Sequence, residues 1–259
     1  MALDEILKYI GASSSLLWIP FALEKWQRYR PQDVYVVFDE QAHVGFNMYG
    51  SYISVRVAMC APKSNDIVFG KYQAKIACED GSKIELYSNH IEDSVTGKLV
   101  NHLSNESFST VRTRSDILTL LKSGSTTDKD VSFYESGTRK KLEKFWDEFN
   151  KKEKHYVSQN KARADLLNEQ VTHELIQKIK AQQIWQPKKY EFTLLASPQS
   201  GKVNLKNNKF SFELTTEDCA FLNQNKKITD AVFKHSLDPN NNQKADNWIF
   251  VGKEIKQNI

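Results

Sequence analysis

The side chains able to do chemistry are present but badly spaced for it. The six histidines, His43, His90, His102, His155, His173 and His235, show no metal-ligand spacing. His173-Glu174 is not followed by the second histidine, one helical turn on, that a zinc protease needs. Ser197-Pro-Gln-Ser-Gly-Lys-Val203 carries the Gly-Lys of a phosphate-cradling loop, yet Ala196 stands where the first glycine belongs and Val203 where a magnesium-holding Ser or Thr belongs. A loop between strands is the simpler reading. No Gly-x-Ser-x-Gly elbow exists, and a Cys–His pair formed by distant contact is neither supported nor opposed by one sequence. Asn105-Glu-Ser107 matches a glycosylation acceptor but has no meaning in a reducing compartment. These residues name no catalytic site, no metal site and no cofactor.

Cys60, Cys78 and Cys219 are odd in number and widely spaced, which fits free thiols in a reducing, cytoplasmic setting. Cys78 falls in phase with Tyr72, Ala74 and Ile76, the pattern of a small buried hydrophobe. The 259 residues, 40% hydrophobic with 14 Phe, 10 Tyr and 5 Trp, are enough to bury a sizeable core. The net charge of +4 is uneven: residues 139–189 hold thirteen Lys and Arg against seven Asp and Glu.

The elements that must position these groups read as three parts: a leader at 1–30, a β body at 31–137 and 188–259, and a helical insertion at 138–187. In the leader, residues 9–23 carry no charge and end in Leu-Leu-Trp-Ile-Pro-Phe-Ala-Leu before the basic Lys25, Arg28 and Arg30. Fifteen such residues fall short of the roughly 20 that span a bilayer as helix. Asp4 and Glu5 do not suit the start of a signal peptide. Three roles remain open: a helix in the protein's own core, a short or tilted membrane anchor, or a partner-binding helix. Leu16, Leu17, Trp18, Ile19, Phe21, Trp26, Arg28 and Arg30 are the candidate membrane or partner contacts. If the segment spans, the basic residues hold its C-terminal side in the cytoplasm.

From Pro31 the period changes to two. Val34, Val36 and Phe38; Val44, Phe46 and Met48; and Ile53, Val55, Val57 and Met59 each form one apolar face of a strand. A run from Val68 to Cys78, the turn Asp80-Gly81 and the run Lys83–Tyr87 predict a hairpin. Ser115–Leu121 reads as a short helix, and Val131–Tyr134 as a strand. Alternation returns at Tyr190, Phe192 and Leu194, at Phe210, Phe212 and Leu214, and at Trp248–Val251. Thr215 before Glu217 and Asp218 has the form of a helix N-cap. Many short strands on either side of one helical stretch predict a mainly β fold with helical additions, a sandwich whose sheets the C-terminal part completes.

The hydrophobic leader, Trp26-Gln-Arg-Tyr-Arg-Pro31, the strand Tyr52–Met59, the hairpin at Asp80-Gly81, Lys122-Ser-Gly-Ser before Val131-Ser-Phe, Lys189-Tyr-Glu-Phe-Thr-Leu and Lys209-Phe-Ser-Phe-Glu-Leu together resemble uncharacterised bacterial proteins that follow a hydrophobic N-terminal segment with an immunoglobulin-like β-sandwich. The resemblance implies that fold and a membrane association; it implies no catalytic residue. The charged insertion departs from its simplest plan.

In the insertion, Leu142, Phe145, Trp146 and Phe149, then Leu167, Val171, Leu175 and Ile179, mark two amphipathic helices of a hairpin. A break is expected near Val157–Lys161, with Ser158 or Asn160 capping the second helix. Asp147–Lys151 and Glu148–Lys152 have the spacing of ion pairs. Lys140, Lys141, Lys144 and Lys151 form a candidate basic contact surface, but Glu143, Asp147, Glu148 and Glu153 interrupt it, which weighs against nucleic acid. The sequence therefore leads to a non-catalytic interaction or scaffold protein at the cytoplasmic face of a membrane, with a protein partner. The alternatives are a soluble oligomer with an unrecognised ligand or enzyme site, and nucleic-acid contact through the insertion.

Overall fold

Valine, isoleucine and aromatic residues at every second position suit a pleated surface with one buried side, and this pattern organises the molecule. The computed structural model describes residues 31–62, 66–93, 113–114, 119–199, 201–238 and 247–257. The leader, including Leu16, Leu17, Trp18, Ile19, Phe21, Trp26, Arg28 and Arg30, lies outside them.

The strands are β1 (Gln32–Asn47), β2 (Gly50–Cys60), β3 (Ile67–Cys78), β4 (Lys83–Asp93), β5 (Thr113–Arg114), β6 (Thr119–Leu121), β7 (Thr126–Glu135), β8 (Lys189–Pro198), β9 (Val203–Lys206), β10 (Lys209–Glu213), β11 (Phe250–Glu254) and β12 (Lys256–Gln257). The fold is mainly β, as the alternation predicts. In place of two facing sheets, the twelve described strands hydrogen-bond into a single sheet along the path β11-β1-β2-β7-β4-β3-β8-β10-β12, with β5 on β4, β6 on β3 and β9 on β1. A period of two reports only that one face is buried; it does not say whether that face meets a second sheet or the far side of its own.

Here it meets its own. Residues 203–213 rise as one kinked strand, pairing parallel with β1 through Val203–Lys206 and antiparallel with β8 through Lys209–Glu213. Asn207 turns the kink at φ 55°, a conformation asparagine tolerates better than most residues. The wedge that opens above it, between β1 and β10, is filled by the C-terminal strand segment: β11 pairs with β1, and β12 with β10. The Gln257 amide donates to Val36 O at 3.1 Å and to Asn207 O at 2.7 Å, stitching both margins. Asn225, fully buried, holds this segment from above like a strand partner. Its Nδ2 donates to Ile249 O at 2.7 Å and its Oδ1 accepts from Ile249 N at 2.8 Å.

Inside the curl, Phe192 stacks on Phe210 at 4.6 Å and Tyr190 on Phe212 at 5.1 Å, while Phe38 and Phe133 meet Phe192 edge-on. Cys78 joins this core, in phase with Tyr72, Ala74 and Ile76. Two runs that read as separate strands, at Val34 and at Val44, are one bent strand. Phe38 faces Val57 and Ala42 faces Val55, so β1 inserts two extra residues there. An even insertion keeps Phe38, Ala42 and Val44 on the same inner face while pushing Asp39, Glu40 and Gln41 outward. Met48 belongs to the turn after β1 rather than to its face. Thr119–Leu121, read as helical, is a strand, with Thr119 and Leu121 buried beside Phe69 and Ile67.

The helices are α1 (Thr138–Ser158), α2 (Gln170–Lys180), α3 (Thr216–Asn223) and α4 (Asn225–Leu237), with a 3-10 turn at Arg163–Asn168. α1 and α2 follow the predicted hairpin, but its turn works differently. Asn160 takes φ 53°, Lys161 N donates to Tyr156 O and Asn160 N to Val157 O, so Asn160 closes the first helix rather than capping the second. Thr215 does form the capping box with Asp218. α4, unforeseen in the sequence, completes a second core, where Phe46 at the end of β1 meets Leu142, Phe149, Leu175, Ile179 and Phe233, and Trp146 stacks on Phe233 at 5.9 Å.

Gly45 sits where this layer joins the sheet. The Tyr52 ring lies so close that a Cβ on Gly45 would come within 2.4 Å of it. Gly45 O also accepts from Trp185 Nε1 at 2.8 Å. Gly45→Ala should therefore destabilise by about 1–3 kcal/mol, and most of that loss should vanish in a Tyr52→Ala background. Equal losses in both backgrounds, by denaturant unfolding, would contradict the contact. Asn225→Leu should cost about 2–3 kcal/mol by stranding the Ile249 backbone groups, and should speed amide exchange in residues 250–257. Unchanged exchange there would show that the clamp does not hold the segment.

Candidate interaction surfaces

Strand direction sets what each end of the sheet carries. β1 leaves Pro31 and runs antiparallel to β2, which runs antiparallel to β7, and so on round to β10. All four described helices consequently follow or precede strands at the end opposite Pro31. The loops that join β2 to β3 and β8 to β9 lie at the Pro31 end. Among the described residues no helix is long and apolar enough to cross a membrane.

Lys140, Lys141, Lys144 and Lys151 are all exposed on α1. They form a ladder with acids rather than a basic stripe. Lys141 bonds Glu135 at 2.9 Å and Lys144 pairs with Glu148 at 3.7 Å, with Glu143 and Asp147 between. The expected Glu148–Lys152 pair gives way to Lys152–Glu169 at 3.2 Å, because the 3-10 turn brings Glu169 against the end of α1. Tyr156 donates its hydroxyl to the same carboxylate, and that bond holds Glu169 below the usual carboxylate range. Aromatic residues of α1 face inward: Phe149 and Tyr156 are buried, and Phe145 and Trp146 half-buried. The two half-buried rings are engaged within the protein, Trp146 on Phe233 and Phe145 under Lys178.

Two concavities on the sheet were not readable from spacing. The first, about 200 Å³, forms where the β1 insertion pushes Asp39 and Glu40 over β2, beside His43, Arg56 and Asp130. Its cation is already engaged, since Arg56 makes a forked ion pair with Asp128. His43, His155, His173 and His235 are exposed on four different elements. No group of three His, Cys, Asp or Glu among the described residues could hold a metal. Cys60, Cys78 and Cys219 are free, and burial, helped by Asp218, pushes the Cys219 thiol up, away from the thiolate a nucleophile needs.

The second concavity, about 440 Å³, runs between α3 and β11, with Glu217, Phe221 and Gln224 on the helix side and Phe250 and Val251 on the strand side. Phe221 is 48% and Phe250 54% exposed, large values for phenylalanine. Lys253 bonds Asp218 at 2.8 Å, tying strand to helix. Burial pushes the Asp218 carboxyl up, but the bonds from Lys253 and Thr215 outweigh it and leave the group below its ordinary value.

Comparison of the chain with protein-family models, with curated proteins and with solved structures gives no match, so its surfaces are read from their own geometry.

Proposed function

We propose that this chain is a non-catalytic interaction protein, held at the cytoplasmic face of a membrane by its leader, with the curled sheet as a rigid spacer. The observation that carries the reading is the polarity of the fold: the chain enters β1 from Pro31 at one end, and every described helix stands at the other. An anchor ending at Arg30 would thus attach at the end away from the helices, leaving α1 to α4 and the α3–β11 groove facing the solvent and a partner. Lys25, Arg28 and Arg30 beside the apolar stretch favour a cytoplasmic body. So do the three unpaired thiols. The continuous curled sheet favours a closed, barrel-like platform over an immunoglobulin-like sandwich of two separate sheets.

Fractionation of cells expressing the full chain tests the reading. The protein should sediment with membranes and resist salt extraction, while Leu17→Glu with Ile19→Glu, or deletion of 9–23, should move it to the soluble fraction with its thermal unfolding unchanged. If the full chain is soluble and those substitutions instead lower the unfolding temperature, the leader belongs to the protein's own core and the anchor reading is wrong.

A further inference from the structure

The structure assigns a binding surface to the outside of the sheet: a platform of Tyr49, Tyr52 and Tyr134 that stacks the pyranose ring of an uncharged, glucose-type oligosaccharide. Strand register places it. Tyr52 on β2 pairs with Tyr134 on β7, and Tyr134 with Tyr87 on β4, while their neighbours Ile53, Phe133 and Leu86 fill the core. Three tyrosines thus share one level on the outer face of adjacent strands, which lie about 4.8 Å apart. Side chains in such a row ordinarily stand off the sheet. Here two of them lie down. Gly45, opposite Tyr52 on β1, has no side chain, and the Tyr52 ring rests where its Cβ would be. Tyr134 leans the same way: its hydroxyl accepts from Asn47 Nδ2, two strands over on β1, at 3.2 Å. The two rings are 5.4 Å apart and 30° from parallel. Tyr49, in the turn after β1, stands against Tyr134 at 85° and 6.4 Å, and its N–H donates to Asn47 Oδ1 at 2.8 Å. One amide therefore fixes floor and wall before any ligand arrives. Tyr49 is 58% exposed and Tyr87 44%, so the surface lies open.

What borders the rings selects the ligand. The next outer-face positions on β1, β2 and β7 carry an amide and hydroxyls, Asn47, Ser54 and Ser132. Charge beside them is already spent. Glu135 bonds Lys141 and Thr138, and Arg56, the only Lys or Arg described on the outer face of these three strands, holds Asp128. A phosphate would find no cation at the rings, which sets nucleotides aside. A pyranose with equatorial hydroxyls meets every feature. Its faces present C–H groups of slight positive charge, which suit the negative face of an aromatic ring. Its edge hydroxyls both donate and accept, as Asn47 and the serines do. It brings no charge. Burial, helped by Tyr134, pushes Tyr52 up to about 12, so the floor stays neutral across the physiological range. Sugar binding goes beyond the interaction reading, and it is measured without reference to where the leader resides, so each can fail alone.

The test is saturation-transfer difference NMR on the full chain, held in membranes or in a detergent without a sugar headgroup. Cellobiose, maltose and N,N′-diacetylchitobiose are the probes. At least one should bind saturably, in the millimolar range that an open surface supports, with transfer strongest to the C–H protons of one ring face. Tyr49→Ala and Tyr134→Ala should each weaken binding about tenfold, the loss of one ring contact. Tyr49→Phe should bind as the parent does. Tyr134→Phe keeps the ring but loses the tie to Asn47, and should fall between. Tyr49 is exposed, so Tyr49→Ala should leave thermal unfolding unchanged, which separates lost binding from lost fold. The proposal is overturned if none of the three sugars saturates, or if Tyr49→Ala and Tyr134→Ala bind as tightly as the parent. It is equally overturned if oligothymidylate binds through Tyr49 and Tyr134 and the sugars do not, which would make bases the occupant.

Discussion

The molecule depends on how a sheet with two ends satisfies its edges. A strand edge leaves a row of backbone donors and acceptors, and each such group is costly if buried without a partner. Here β1 and β10 would both be such edges. The kinked strand 203–213 joins them at the Pro31 end, and residues 250–257 join them at the helical end by pairing first with β1 and then with β10. Gln257 and the buried Asn225 use side-chain amides where the backbone ladder stops. The aromatic interior, Phe38 against Phe210 at 4.8 Å, exists only because the two margins meet.

That closure also explains the division of labour between the ends. At the helical end the sheet's mouth is covered by a second apolar cluster, in which Phe46 is the one residue contributed by β1. Gly45 permits the Tyr52 ring to lie flat over the same strand, and Trp185 reaches back to its carbonyl. The junction is made by a missing side chain and a large one fitted together, so it is sensitive to a single methyl group. Ser51 adds a polar tie, accepting from Ile184 N and donating to Gln182 O, both at 3.0 Å, and so fixes the chain between α2 and β8.

Among the described residues, no strand pairs with the outer side of the strand that closes the sheet. β11 is held by β1 on one side and by the Lys253–Asp218 bond to α3, with the concavity between Phe221 and Phe250 beside that bond. Closing the wedge and opening an edge are one event: a strand inserted where two margins diverge keeps a neighbour on only part of its length.

Alternation and amphipathic periodicity were legible without coordinates, because a strand or helix that buries one face repeats it in the chain. That is why most of the strands between Val34 and Phe212, though not Thr119–Leu121, the hairpin at Asp80-Gly81, the α1–α2 pair and the Thr215 cap could be read directly. The free state of the cysteines followed from their spacing. The closure, the α4 contribution to the second core and the groove could not be read, since each joins residues far apart in sequence, such as Asn225 with Ile249, Phe46 with Phe233, or Phe221 with Phe250. Sequence alone determined which face is buried in the elements with a clear period. Only the tertiary structure decided that the sheet curls onto itself, because pairing order is a matter of which edges meet, and an edge carries no side-chain period to announce its partner.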